Sequence, residues 1–185
     1  MNWTRFARKK LIWLGVCTLL LAALAAACIC RQADQDKHVL DGNGAGKSKI
    51  TISGDGVARE ITLSLDEMLA LPDARFEHVY SIINNWPSKK FYAARGIKVA
   101  VLLEQAGIKN DAKRITFIGK DGYEWSFTRG QLLDTPRYYY PGLLQGNAHQ
   151  AEEVDTIIAY ELKEDSTSLD EVRPENFCLI VPQAS

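Results

Sequence analysis

Between the basic stretch Arg5-Phe6-Ala7-Arg8-Lys9-Lys10 and Arg31, the run Leu11 to Ile29 carries no charge. Such a run is about the length that spans a bilayer, and it has no polar face to present to water, so it is excluded from any soluble core. Residues 31–48, RQADQDKHVLDGNGAGKS, come next with almost no apolar content. They cannot bury enough surface to offset the entropy of ordering, which predicts a flexible tether over 28–48. The Gly42–Ser48 part of it lacks the glycine-to-lysine spacing of a phosphate loop. A single domain over 49–185 is what remains to build a core, after a signal peptide or membrane anchor over 1–27.

Charge divides at the same point. The chain has 22 Lys+Arg against 23 Asp+Glu. The N-terminal 27 residues hold four of the bases and no acid, so the remainder is acidic. An acidic body cannot neutralise phosphates, so no nucleic-acid partner is expected. The basic flank should stay in the cytoplasm and send the rest of the chain outside. Leu24-Ala25-Ala26-Ala27-Cys28 resembles a bacterial lipobox. That resemblance implies lipidation of Cys28 and a mature protein anchored to the cell membrane. Ordinary signal-peptidase cleavage after Ala27 and an uncleaved helix also fit, and all three readings put the body outside the cytoplasm. Cys178 is the one cysteine within 49–185, in the apolar stretch Phe177–Val181, and reads as a small buried hydrophobe. His38, His78 and His149 are scattered without metal-ligand spacing.

Within 49–185 the periodicity is mixed. Ile50 and Ile52 alternate with polar residues, Gly54-Asp55-Gly56 turns the chain, and Arg59–Leu63 alternates back: a hairpin. Ser64-Leu65-Asp66-Glu67 is a capping box opening a helix through Leu71, stopped by Pro72. Phe76–Ile83 alternates as a strand. Ile97–Ala106 reads as a helix ended by Gly107. Arg114–Ile118 and Tyr123–Thr128 form a hairpin about Asp121-Gly122, and Gln131–Leu133 a helical turn. Thr156–Leu162 and Phe177–Val181 are strands, separated by an acidic loop over Lys163–Glu175. Short strands and helices without βαβ order predict an α+β fold.

The stretch Ser81–Gly96, SIINNWPSKKFYAARG, concentrates amides, cations and rings, and reads as a polar binding loop on a rigid scaffold. A solvated loop whose Trp86 and Phe91 plug the core is the bland alternative. Ser81 has no nucleophile-elbow context, and His78, three residues back on a strand, is poorly placed to activate it.

Four motifs in order carry a family resemblance. They are Ser81-Ile82-Ile83-Asn84, Arg95-Gly96-Ile97-Lys98-Val99, Leu102-Leu103-Glu104-Gln105-Ala106-Gly107-Ile108 and Asp121-Gly122-Tyr123. With Ile157–Leu162 and Arg173–Pro182, their order and spacing resemble the molybdopterin-binding domain of the sulfite oxidase superfamily, over about residues 49–182. The resemblance implies that family's fold and a molybdopterin cofactor whose metal is ligated by a loop cysteine. At the matching position stands Ser81, whose neutral hydroxyl is a poor substitute for a soft thiolate. The family's Gly- and Lys-bearing segment beyond the Val-Pro step has no counterpart. Nor does Arg5–Lys10 contain the twin-arginine pair typical of proteins exported with this cofactor already bound.

The expected function is a membrane-tethered extracytoplasmic protein with a sulfite-oxidase-like domain. It is read as non-catalytic, without cofactor or metal, and as binding a small anionic or aromatic ligand or an envelope protein. The candidate pocket is Ser81, Asn84, Asn85, Trp86, Lys89, Arg95 and Tyr123, with Lys90 beside it. Cations there would hold an anion through charge-assisted hydrogen bonds, and the rings would stack. The alternative is a molybdopterin-dependent oxidoreductase. Tyr138-Tyr139-Tyr140 is a further candidate contact patch.

Overall fold

A computed structural model describes residues 48–83 and 88–184. Residues 1–47, on which the expected signal, the lipidated Cys28 and the expected tether fall, lie outside the described residues, as do residues 84–87, which hold Asn84, Asn85 and Trp86. In chain order the elements are β1 (Lys49–Ile52), β2 (Ile61–Ser64), α1 (Leu65–Leu69), β3 (Arg75–Ile83), β4 (Lys89–Lys98) and α2 (Val99–Ala106). Then come β5 (Arg114–Ile118), β6 (Glu124–Thr128), a π-helical turn (Gly130–Asp134), β7 (Arg137–Tyr139), a 3-10 turn (Leu143–Gln145) and β8 (Glu152–Glu153). The body closes with β9 (Ile157–Glu164), a 3-10 turn (Leu169–Glu171), β10 (Arg173–Ile180) and β11 (Gln183–Ala184). This is an α+β fold of small antiparallel sheets with short helices. Among the described residues no helix is long and apolar enough to cross a membrane.

The central sheet is four-stranded, in the order β10-β9-β4-β3. Alternation along β9 faces it with apolar packing on both sides. Ile158 joins a core with Met68 of α1, Leu102 and Leu103 of α2, and Leu132. Ile157 and Ala159 join a second core with Tyr80, Val154 and Ile180. The β1–β2 and β5–β6 pairs are separate two-stranded sheets, and β11-β7-β8 is a third small sheet.

Several local signals operate as expected. Ser64 Oγ accepts the Glu67 N–H, and the Glu67 carboxylate accepts the Ser64 N–H at 2.8 Å, closing the capping box. Those bonds from Ser64 hold the Glu67 carboxyl below the usual carboxylate range. The helix ends at Leu69 rather than Leu71. Gly107 caps α2 at φ 70°, a left-handed conformation that glycine adopts without a Cβ penalty.

The largest difference lies at Ser81–Gly96, where Ser81–Ile83 and Lys89–Gly96 are strand rather than loop. β3 and β4 pair residue by residue from Arg75↔Ile97 to Ile83↔Lys89, leaving only a short connection. β4 also pairs with β9, so it is an interior strand. Its Lys90 and Arg95 conceal this in the sequence, because acids on the neighbouring strands take them up. Ala93, Ala94 and Ile97 are fully buried. At Gly96 the register against β9 shifts, and a Cβ there would come within 2.6 Å of the Ile158 carbonyl oxygen. The same pairing keeps Ile97 and Lys98 extended, so α2 begins at Val99 rather than Ile97. The acidic loop also shrinks, because β9 runs to Glu164 and β10 starts at Arg173.

Candidate functional site

Ser81 lies on β3 opposite Phe91 and is fully buried. Its Oγ accepts the backbone N–H of Tyr140 at 2.8 Å, tying the end of β7 to the central sheet. The neighbouring Tyr139 ring covers the same region, 6.0 Å from the Phe91 ring and 5.3 Å from that of His78. Ser81 is a structural acceptor in this setting.

Arg95 is the middle of a cross-strand row, opposite Glu77 on β3 and Glu161 on β9. Its Nε donates to Glu77 at 2.7 Å, Nη1 to Glu161 at 3.0 Å and Nη2 to the Leu169 carbonyl at 3.2 Å. Glu77 first and Glu161 second raise its pKa above the ordinary arginine value. Lys90 is likewise taken up by Glu164, which raises the ammonium pKa, with Asp165 3.8 Å away. Lys89 is exposed at the end of the hairpin.

Ser81 and Arg95 are not side by side. Phe91, the partner of Ser81, is four residues from Arg95, roughly 13 Å along the strand. Tyr123 lies just before β6, in a different part of the fold, and is largely exposed against Trp125. Asn84, Asn85 and Trp86 lie outside the described residues. Of the Tyr138–Tyr140 run, Tyr138 and Tyr139 form β7, and all three rings are half-buried.

Two arrangements had no signal in the sequence, because their members are distant along the chain. His78 faces Glu152 through Nε2 at 3.2 Å, while its Nδ1 lies 2.7 Å from the Val79 carbonyl. Tyr80, beneath it, donates its hydroxyl to the Asp155 carbonyl at 3.2 Å. Burial, and secondarily the Asp155 charge, push the Tyr80 phenol well above its usual pKa, so it is a permanent donor. At the start of α2 there is a cleft of about 160 Å³, bounded by Val99, Ala100, the 132–137 segment and the 153–156 segment. Asp155 at its edge is paired with Lys98 at 2.9 Å.

The described residues do not fit a thiolate-ligated molybdenum. Ser81 supplies a hydroxyl already engaged by Tyr140. Cys178, the cysteine among the described residues, is half-buried on β10; burial and then Glu175 raise its thiol pKa, which favours the protonated form. Among the described residues no three His, Cys, Asp or Glu cluster as metal ligands. No family model matches the chain, and no curated protein matches it.

Proposed function

We propose that this is a membrane-tethered extracytoplasmic protein whose body is a sulfite-oxidase-like domain turned to non-catalytic binding of a small ligand or a partner protein. The observation that carries the reading is the setting of Ser81. Where the resembled family needs a thiolate, this chain has a hydroxyl with no exposure, engaged by a backbone N–H from 59 residues away. The glutamates around Arg95 support it too, since they occupy a guanidinium that would otherwise hold an anionic cofactor or ligand. The recognition residues of this reading are then Asn84, Asn85 and Trp86, which follow β3 in the sequence, with Lys89.

Metal analysis of the full chain, produced in a host that makes the molybdopterin cofactor, tests this reading. The expected outcome is no stoichiometric molybdenum in the purified protein. Stoichiometric molybdenum would overturn the reading in favour of a molybdopterin-dependent oxidoreductase.

A further inference from the structure

The cleft at the start of α2 gathers polar groups that the fold leaves unpaired. It measures about 160 Å³, and Thr156, only 8% exposed, lines it. The Thr156 carbonyl accepts the Val99 N–H at 2.9 Å, but the Thr156 hydroxyl is buried without a hydrogen-bond partner. Arg137 is a second lining residue. Its Nη1 donates to the Pro182 carbonyl at 3.0 Å and its Nη2 to that of Gln131 at 2.5 Å, while Nε is buried and unpartnered. Burial alone lowers the Arg137 pKa, and no carboxylate pairs with it among the described residues. Buried donors are as a rule satisfied, so two orphans on one small cleft call for an explanation. No side chain caps the entry to α2, which leaves the Ala100 N–H beside them as a further donor. Part of the wall is the π-helical turn Gly130–Asp134, a geometry frequent at functional sites.

Charge narrows what the cleft can take. Asp134 is held by Arg129 at 3.0 Å and Asp155 by Lys98 at 2.9 Å, and Thr135 Oγ1 donates to the Gly130 carbonyl at 2.9 Å. Glu153 also lines the cleft, and it is exposed, with no hydrogen bond or ion pair among the described residues. One cation and one anion are thus left without partners on the same wall. A simple anion would satisfy Arg137 and Thr156 but would face three carboxylates, and a phosphate dianion would face them with twice the charge. A simple cation would leave both buried donors empty. A ligand that carries one charge of each sign meets every group.

We propose that this cleft binds a small α-amino acid as its zwitterion, with the carboxylate on Arg137 Nε and the Thr156 hydroxyl and the ammonium facing Glu153. The ligand's oxygens supply the acceptors that the two buried donors lack. Its ammonium supplies the counter-charge that Glu153 lacks, and charge-assisted hydrogen bonds of both kinds belong to the strong class. The size of the cleft restricts the amino acid to a short side chain. Neither Ser81 nor the recognition residues proposed above take part, so the inference stands independently of that reading and of the family resemblance.

Calorimetric titration of the purified full chain with alanine, propionate and ethylamine tests the proposal. Alanine is expected to bind saturably. Propionate, which lacks the ammonium, and ethylamine, which lacks the carboxylate, should each bind about tenfold or more weakly. Thr156→Val should weaken alanine binding by a similar factor, and Glu153→Gln should remove the preference for alanine over propionate. Glu153 is exposed and unpaired, so its variant keeps the fold and decides the matter if Thr156→Val does not fold. No saturable alanine binding overturns the proposal. So does equal binding of alanine and propionate by the wild type, or a preference for alanine that survives Glu153→Gln. Saturable binding of inorganic phosphate without binding of alanine would assign the cleft to a plain anion, and overturns it as well.

Discussion

Two hairpins in this protein carry nearly the same alternation of rings and meet opposite fates. Along β3 the rings are Phe76, His78 and Tyr80; approaching and along β6 they are Tyr123, Trp125 and Phe127. Tyr80 is completely buried, while Tyr123 and Trp125 are open to solvent. The difference lies in what the rest of the chain lays against each pair. β3–β4 is flanked by β9 on one side and touched by Tyr139 and Tyr140 on the other, and its cations are met by Glu77, Glu161 and Glu164. β5–β6 stands as a two-stranded sheet, with Ile115, Phe117 and Phe127 packed against the core and Tyr123 and Trp125 left uncovered. Alternation says that one face of a strand is apolar. It does not say whether protein, lipid or another chain will cover that face.

The contrast is sharpest in a pair of tyrosine truncations. Tyr80→Ala should cost about 3–5 kcal/mol, because it empties a filled core site and leaves the Asp155 carbonyl without its donor. Tyr123→Ala should stay within about 0.5 kcal/mol, because that ring is largely exposed and stacks on an exposed Trp125. Denaturant unfolding at constant m-value measures both; equal effects would erase the distinction between the hairpins. Next in size is Ser81→Ala, which removes the acceptor from the Tyr140 N–H. It should cost about 1–3 kcal/mol if that bond ties β7 to the sheet, and an unchanged unfolding midpoint would show that the tie is dispensable.

The smallest expected effect belongs to neither hairpin and serves as their local control. Glu67 has its folded pKa lowered by Ser64, so its contribution is fully present above the unfolded carboxyl pKa. It is lost as pH falls through the usual carboxylate range to the folded value. Glu67→Gln should lower the neutral midpoint slightly, leave the acid midpoint nearly unchanged and so flatten the acid limb of the thermal midpoint against pH. The same acid limb in both proteins would remove Glu67 as its source.

How legible each element was depends on how far away its partners lie. The capping box at Ser64 and Glu67 closes within three residues, and the glycine cap at Gly107 needs only its own φ and the preceding turn. The β5–β6 pair turns at Gly122, with φ 81°. These were readable because the atoms that satisfy each other are neighbours in the chain. The central strand β4 was not. Lys90 and Arg95 look like loop or ligand residues until the acids on β3 and β9 are set beside them.

Ser81 divides along the same line. Its place at the end of an alternating strand was visible in the residues alone. Its burial and its bond to Tyr140 came from tertiary contact, since no local pattern records which distant N–H a buried hydroxyl will find. Short-range chemistry thus set the caps, the turns and the α+β character of this chain. Long-range pairing decided which polar residues are spent on holding the fold and which remain to meet another molecule.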